Sequence, residues 1–143
     1  MTTILPDPTT PFGERVARRL REEIVIWLTT TGADGTPQPA PVWFLWEGET
    51  FLIYTLTNAK RLAHIERNPR VALNFDSDGS GGDIVVFTGE ARRAPDEPSA
   101  DQNPAYAEKY RASIAGEFQT AENFARGYPV ALRIRPSKVR GFS

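Results

Sequence analysis

Thr55, Thr57, Asn58, Lys60 and Arg61 fall within one short stretch, where a run of apolar residues gives way to a charged one. The surrounding sequence from Phe51 to Asp76, FLIYTLTNAKRLAHIERNPRVALNFD, reads strand, short helix, strand. Alternation along the first strand points the Thr55 and Thr57 hydroxyls the same way. Lys60 and Arg61 occupy the opening turn of the helix, which already carries partial positive charge from unpaired N–H groups. Two cations there are unfavourable unless an anion sits among them. Hydroxyls, helix N–H groups and two cations together make a phosphate site. A plain helix start with an exposed lysine and arginine uses the same residues, and spacing alone does not separate the two. Pro41, Val42, Trp43 and Phe44 offer either a flat apolar wall of the kind a ring cofactor needs or a hydrophobic core strand.

Other chemistries are poorly supplied. The chain has no cysteine, which removes disulfides, thiolate catalysis and cysteine metal ligands. His64 is the single histidine and has no second imidazole or thiolate with which to share a metal. Ser113 and Ser137 lack the G-x-S-x-G setting of a hydrolase nucleophile. The carboxylate pairs Glu22/Glu23 and Glu47/Glu49 belong to a helix face and a turn. The loop DSDGSGGD (76–83) lacks EF-hand spacing and the lysine of a P-loop, and is expected to be a flexible turn. With 17 basic and 18 acidic side chains, nothing points to nucleic acid or an anionic membrane as partner. The longest apolar run, Val42 to Trp46, is too short to span a bilayer. The N-terminal sequence lacks a secretory pattern, so a soluble, cytoplasmic protein is expected.

The elements that must position these residues follow from periodicity. Residues 1–143 are expected to form one domain, opening with an irregular arm over 1–10. Thr10 caps a helix beginning at Pro11, with Phe12, Val16 and Leu20 inward and Arg15, Arg18, Arg19 and Arg21 on the wet face. A strand from Ile24 to Thr31 turns at Asp34-Gly35 into a return strand running through Trp46. Pro37, Pro39 and Pro41 place their missing donors on one side of it, which marks a sheet edge. Glu47-Gly48-Glu49 then turns into the strand at Phe51, giving a meander. Asn68-Pro69 ends the short helix. Further strands are read at Val71–Asp76, at Ile84–Arg92 with a bulge or close approach at Gly89, and from Tyr128 to Arg135 with a continuation to Phe142. A helical segment spans 103–127, with Tyr106, Tyr110 and Ile114 along one side and a second helix from Thr120 to Arg126. Six strands with intervening helices predict a mainly β fold with α elements, a closed or nearly closed barrel.

The motifs Gly35-Thr36-Pro37-Gln38-Pro39 with Pro41-Val42-Trp43-Phe44, then Tyr54-Thr55-x-Thr57-x-x-Lys60 and Asn68-Pro69-Arg70-Val71, resemble the flavin-binding split-barrel proteins related to pyridoxamine 5'-phosphate oxidase. More narrowly, they are similar to the branch that uses the deazaflavin coenzyme F420. The resemblance implies a six-stranded split barrel with flanking helices, and a homodimer with cofactor sites between subunits. It also implies an oxidoreductase that transfers a hydride to a conjugated organic substrate. Thr55, Thr57, Asn58, Lys60 and Arg61 would hold the cofactor phosphate, and Pro41, Val42, Trp43 and Phe44 would line its ring. No catalytic histidine or cysteine is required, because hydride chemistry belongs to the cofactor. FMN on the same fold, or a non-catalytic flavin- or haem-binding protein, are the alternatives. The helical segment from Asn103 to Gly127 departs from the family pattern.

Overall fold

The computed structural model describes residues 4–142, so the expected arm is seen only from residue 4 and its first three residues lie outside the described ones. Helix α1 (Pro11–Glu22) starts as its sequence dictates. The Thr10 hydroxyl accepts a hydrogen bond from the Gly13 N–H at 3.0 Å, and Pro11 fills a position whose N–H would have no helical partner. Val16 and Leu20 are buried against the core, with Phe12 at its margin. The arginines do not all face water. Arg19 is 5% exposed: it donates to the backbone carbonyls of Asp76 and Asp83 at 2.7 and 2.9 Å and pairs with Glu23 at 2.9 Å. Arg15 pairs with Asp83 at 2.7 Å. The loop over 76–83 is therefore clamped at its ends. Helical periodicity locates the apolar stripe, but it does not reveal a long side chain reaching back to a distant loop.

Among the described residues seven strands follow where six were expected: β1 (Ile26–Thr31), β2 (Pro37–Val42), β3 (Leu45–Glu47), β4 (Thr50–Thr55), β5 (Arg70–Asn74), β6 (Ile84–Arg93) and β7 (Val130–Phe142). Helix α2 (Lys60–Arg67) joins β4 to β5. A single 3-10 turn (Ala100–Gln102) and helices α3 (Pro104–Lys109), α4 (Arg111–Glu117) and α5 (Ala121–Gly127) lie between β6 and β7. The sheet is antiparallel throughout, in the order β2-β1-β5-β6-β7-β4-β3.

The extra strand arises because the return strand breaks at Trp43-Phe44. Its first part, β2, pairs with β1 at one edge of the sheet; its second part, β3, pairs with β4 at the other. The expected meander is thus two hairpins on opposite edges. Val42 and Leu45 are separated by at most about 11 Å of chain. The two edges must therefore lie near one another, and the sheet curls into a half-barrel. At the break Phe44 leaves the ladder, and the Tyr110 hydroxyl takes over. It accepts from the Phe44 N–H at 2.8 Å, and its proton is shared between the carbonyls of Ile24 and Phe44 at 2.7 and 2.9 Å.

Two expectations about single residues hold. Pairing of β2 with β1 continues unbroken from Thr31↔Pro37 to Ile26↔Val42, which requires the three proline nitrogens to face the free edge. Gly89 sits at the register shift between β6 and β7, where a Cβ would meet the Arg135 carbonyl oxygen at 2.2 Å.

Strand β4 is buried on both faces. Phe51 and Ile53 point into the half-barrel with Phe44, Phe87, Leu132 and Ile134. Leu52 and Tyr54 point outward, beneath Tyr106, Tyr110, Ile114 and Phe124 of the helical segment. Burying a side chain of this size contributes about 1.5–3 kcal/mol, so the segment is held by a core of its own.

Candidate cofactor site

The β4–α2 junction divides the predicted phosphate residues into two groups. Strand β4 ends at Thr55, and Thr57 and Asn58 already lie in a turn, so strand alternation does not align the two threonines. Thr55 is 1% exposed, and its hydroxyl accepts from Arg61 Nη1 at 2.6 Å. Thr57, Asn58 and Lys60 are exposed. Helix α2 has Ala59 at its N-cap, no side-chain cap and no acidic residue in its first turn, so nothing in its own first turn opposes the positive end of the helix. Burial of Arg61 lowers its pKa, and the neighbouring Tyr128 acts in the opposite sense. Arg61 has no carboxylate within ion-pair distance among the described residues.

Arg61 lines a cavity of about 380 Å³ together with Pro41, Val42 and Trp43. Phe44 does not: its side chain is fully buried in the half-barrel core, packed edge-on to Phe51 at 5.8 Å. The break that splits the strand also sends these neighbours to opposite sides, Trp43 outward and Phe44 inward.

The remaining walls come from residues that sequence reasoning had not assigned to a site: Tyr54, Leu56, Tyr106, Phe118, Phe124 and Tyr128, with Val25 and Glu117 also lining it. Tyr110, Trp43, Phe124 and Tyr128 form a near-parallel column. Successive centroids are 4.5, 5.3 and 4.8 Å apart and the interplanar angles are 6°, 18° and 10°. Tyr106 meets Tyr54 edge-on at 4.8 Å. It is fully buried, its hydroxyl has no hydrogen-bond partner among the described residues, and burial raises its pKa. Burial also raises the pKa of Tyr54, whose hydroxyl donates to the Pro98 carbonyl at 2.7 Å. The signal that could have found these walls was the density of rings between Tyr106 and Tyr128. Their buried side was readable from spacing, but the surface they cover was not.

His64 lies elsewhere and is bonded through Nδ1 to the Thr30 hydroxyl at 2.9 Å, a local tie between α2 and β1. No helix among the described residues is long and apolar enough to cross a membrane.

The profile of the pyridoxamine 5'-phosphate oxidase family matches residues 12–143, nearly the whole chain. The chain belongs to this family. Solved structures with the same fold include an F420 reductase, with a TM-score of 0.68 and 22% identity over 86% of this chain and 94% of that one. A FAD-binding protein from Mesorhizobium loti gives 0.61 and 19% over 88% of each chain. The haem storage protein HutZ from Vibrio cholerae gives 0.64 and 13% over 92% of this chain and 95% of its own. At these identities the likeness establishes the fold. No curated protein matches the sequence.

Proposed function

We propose that this family member is an oxidoreductase that binds the deazaflavin coenzyme F420 in the aromatic cavity. The observation that carries the reading is the meeting, in one cavity, of flat aromatic walls with a half-buried guanidinium that has no carboxylate partner. Such walls fit a planar ring, and a volume of about 380 Å³ lies within the range of small-molecule sites. Thr57, Asn58, Lys60 and the free N–H groups opening α2 would hold the phosphate, with Thr55 and Arg61 behind them at the inner end of the junction. When bound and reduced, the deazaflavin supplies a hydride to a conjugated, electron-poor organic acceptor.

The chain's own residues position and shield. Pro41 and Val42 line the cavity beside the stacked rings of Trp43, Phe124 and Tyr128, and with Phe118 these rings exclude water from it. Tyr54 and Tyr106 hold their protons more tightly than free tyrosines, so they act as walls rather than as acids. The proton that accompanies hydride transfer comes from solvent at the mouth of the cavity or from Tyr128, which also lines it. Val25 and Leu56 line the cavity yet are 36% and 40% exposed, and Ile24 beside them is 52% exposed. An apolar rim of this kind is what a homodimer with cofactor sites between its subunits would cover.

Titration of the purified protein with F420, FMN and haem tests the assignment. F420 is expected to bind most tightly, and the F420-loaded, reduced protein is expected to be reoxidised by at least one member of a panel of quinones, enones and tetrapyrroles. Preferential binding of FMN or haem, with no affinity for F420, would sink the proposal.

A further inference from the structure

The cavity wall holds a donor that the free protein does not use. Tyr54, Tyr106 and Tyr110 meet in the core between β4 and the helical segment. The Tyr54 hydroxyl is committed to the Pro98 carbonyl, and the Tyr110 hydroxyl to the break at Phe44 and to the Ile24 carbonyl. Tyr106 lies between them, edge-on to Tyr54 at 4.8 Å and 5.0 Å from the ring of Tyr110. It is fully buried, and its hydroxyl meets no partner among the described residues. A buried hydroxyl without a partner is destabilising, and native interiors rarely keep one without a use. Local structure does not demand it. The Tyr106 N–H is capped by the Asn103 side chain at 3.1 Å, and a phenylalanine ring would make the same aromatic contacts. Tyr106 also lines the aromatic cavity, beside Trp43, Tyr54 and Phe124.

We infer that the Tyr106 hydroxyl donates a hydrogen bond to a carbonyl oxygen of the planar, conjugated ligand of this cavity, and so selects rings that carry a carbonyl over hydrocarbon rings of the same shape. The inference rests on reading the cavity as a ring site. A phenol is a better donor than acceptor, because its oxygen lone pairs are partly drawn into the ring, so an acceptor on the ligand is the fitting partner. Burial raises the pKa of the hydroxyl, which therefore keeps its proton and gives only a hydrogen bond. The hydroxyl is covered in the free protein, so a neighbouring side chain must yield to admit the ligand oxygen, at a cost that the new hydrogen bond offsets. Two ligands of the proposed reaction carry such an oxygen: the deazaflavin ring and a quinone or enone acceptor. On the first, Tyr106 is a positioning residue for the cofactor. On the second, it polarises the carbonyl on which negative charge grows as the hydride arrives.

The test compares the wild type with Y106F, which removes the hydroxyl and keeps the ring. Titration calorimetry gives affinities for hydroxy-deazariboflavin in the free protein, and for 1,4-naphthoquinone and naphthalene in the protein loaded with oxidised F420. Naphthalene is the same carbon skeleton without the carbonyls. Y106F is expected to lose about two- to tenfold in affinity for at least one of the two carbonyl-bearing rings, the range for a neutral hydrogen bond, and nothing for naphthalene. A loss for the deazaflavin ring assigns the contact to the cofactor; a loss confined to the quinone assigns it to the acceptor. Thermal melting of the free protein carries the opposite sign. Y106F should melt at or above the wild-type temperature, because it removes an unpaired buried donor. A hydroxyl that served only the fold would instead lower the Tm and leave the affinities alone. Unchanged affinity for both carbonyl-bearing rings, an equal loss for naphthalene, or a lower Tm in Y106F would each overturn the inference while leaving the ring site standing. Failure of the wild type to bind the deazaflavin ring or F420 would overturn the ring-site reading and this inference with it.

Discussion

Tyr110→Phe isolates the device that breaks the β2–β3 strand. The substitution removes one hydroxyl and leaves the ring, so the stack on Trp43 at 4.5 Å is retained. Three hydrogen bonds go with the hydroxyl, but their loss is unequal. The Phe44 carbonyl keeps Lys109 Nζ as a donor at 2.8 Å. The Ile24 carbonyl belongs to a residue that is 52% exposed, where water can replace the tyrosine. The Phe44 N–H is inside the protein, and a buried donor without an acceptor costs about 1–3 kcal/mol. A loss near ~2 kcal/mol is therefore expected, equivalent to a fall in Tm of about 4–8 °C for a domain of this size. Urea unfolding at neutral pH should show a lower midpoint with an unchanged slope, because the surface exposed on unfolding does not change. Ring-ligand affinity should fall much less in Y110F than in Y110A, which also removes the stacking partner of Trp43. Stability of Y110F within about 0.5 kcal/mol of the wild type would refute the claim that this hydroxyl substitutes for the sheet at Phe44.

Lys60→Ala should weaken binding of the phosphate-bearing cofactor by about 1.5 kcal/mol, the low end for a hydrogen bond to a charged group, and should leave the phosphate-free ring unaffected in the same titration. Lys109 supplies a pH test. Burial lowers its pKa to about 8, with Glu23 opposing, while an unfolded lysine titrates near ~10.4. Between these values the unfolded chain binds the extra proton, so this group makes stability rise with pH from about 8 towards about 10. Urea midpoints measured over that window should climb in the wild type and climb less in K109M. Gly89→Ala places a methyl group 2.2 Å from the Arg135 carbonyl oxygen and 2.7 Å from Pro136 Cα, both backbone, and should destabilise by about 2–3 kcal/mol in thermal or chemical unfolding.

What could be read from the sequence was whatever a residue does to its own neighbourhood. Thr10 with Pro11, Asn103 with Pro104, and the alternate prolines of β2 each fix local backbone, and each appears where expected. What could not be read was whatever depends on a partner far along the chain. The strand from Pro37 to Trp46 has continuous strand character, and nothing within it announces a break. The group that makes the break tolerable, the Tyr110 hydroxyl, lies 66 residues away. Arg19 carries the same lesson, since a charged side chain in an amphipathic helix is assigned to water until a buried acceptor is found for it.

The helical segment stood apart in the sequence as a departure from the family pattern, yet it is what closes a cavity beside the β4–α2 junction. Without it Trp43, Tyr54 and Arg61 would lie on an open face of the half-barrel, with the guanidinium in water. Tyr106, Phe118, Phe124 and Tyr128 cover that face and line the cavity beside the half-buried Arg61. The segment read from the sequence as a departure from the family pattern is therefore the part of the chain that gives this cavity most of its aromatic lining.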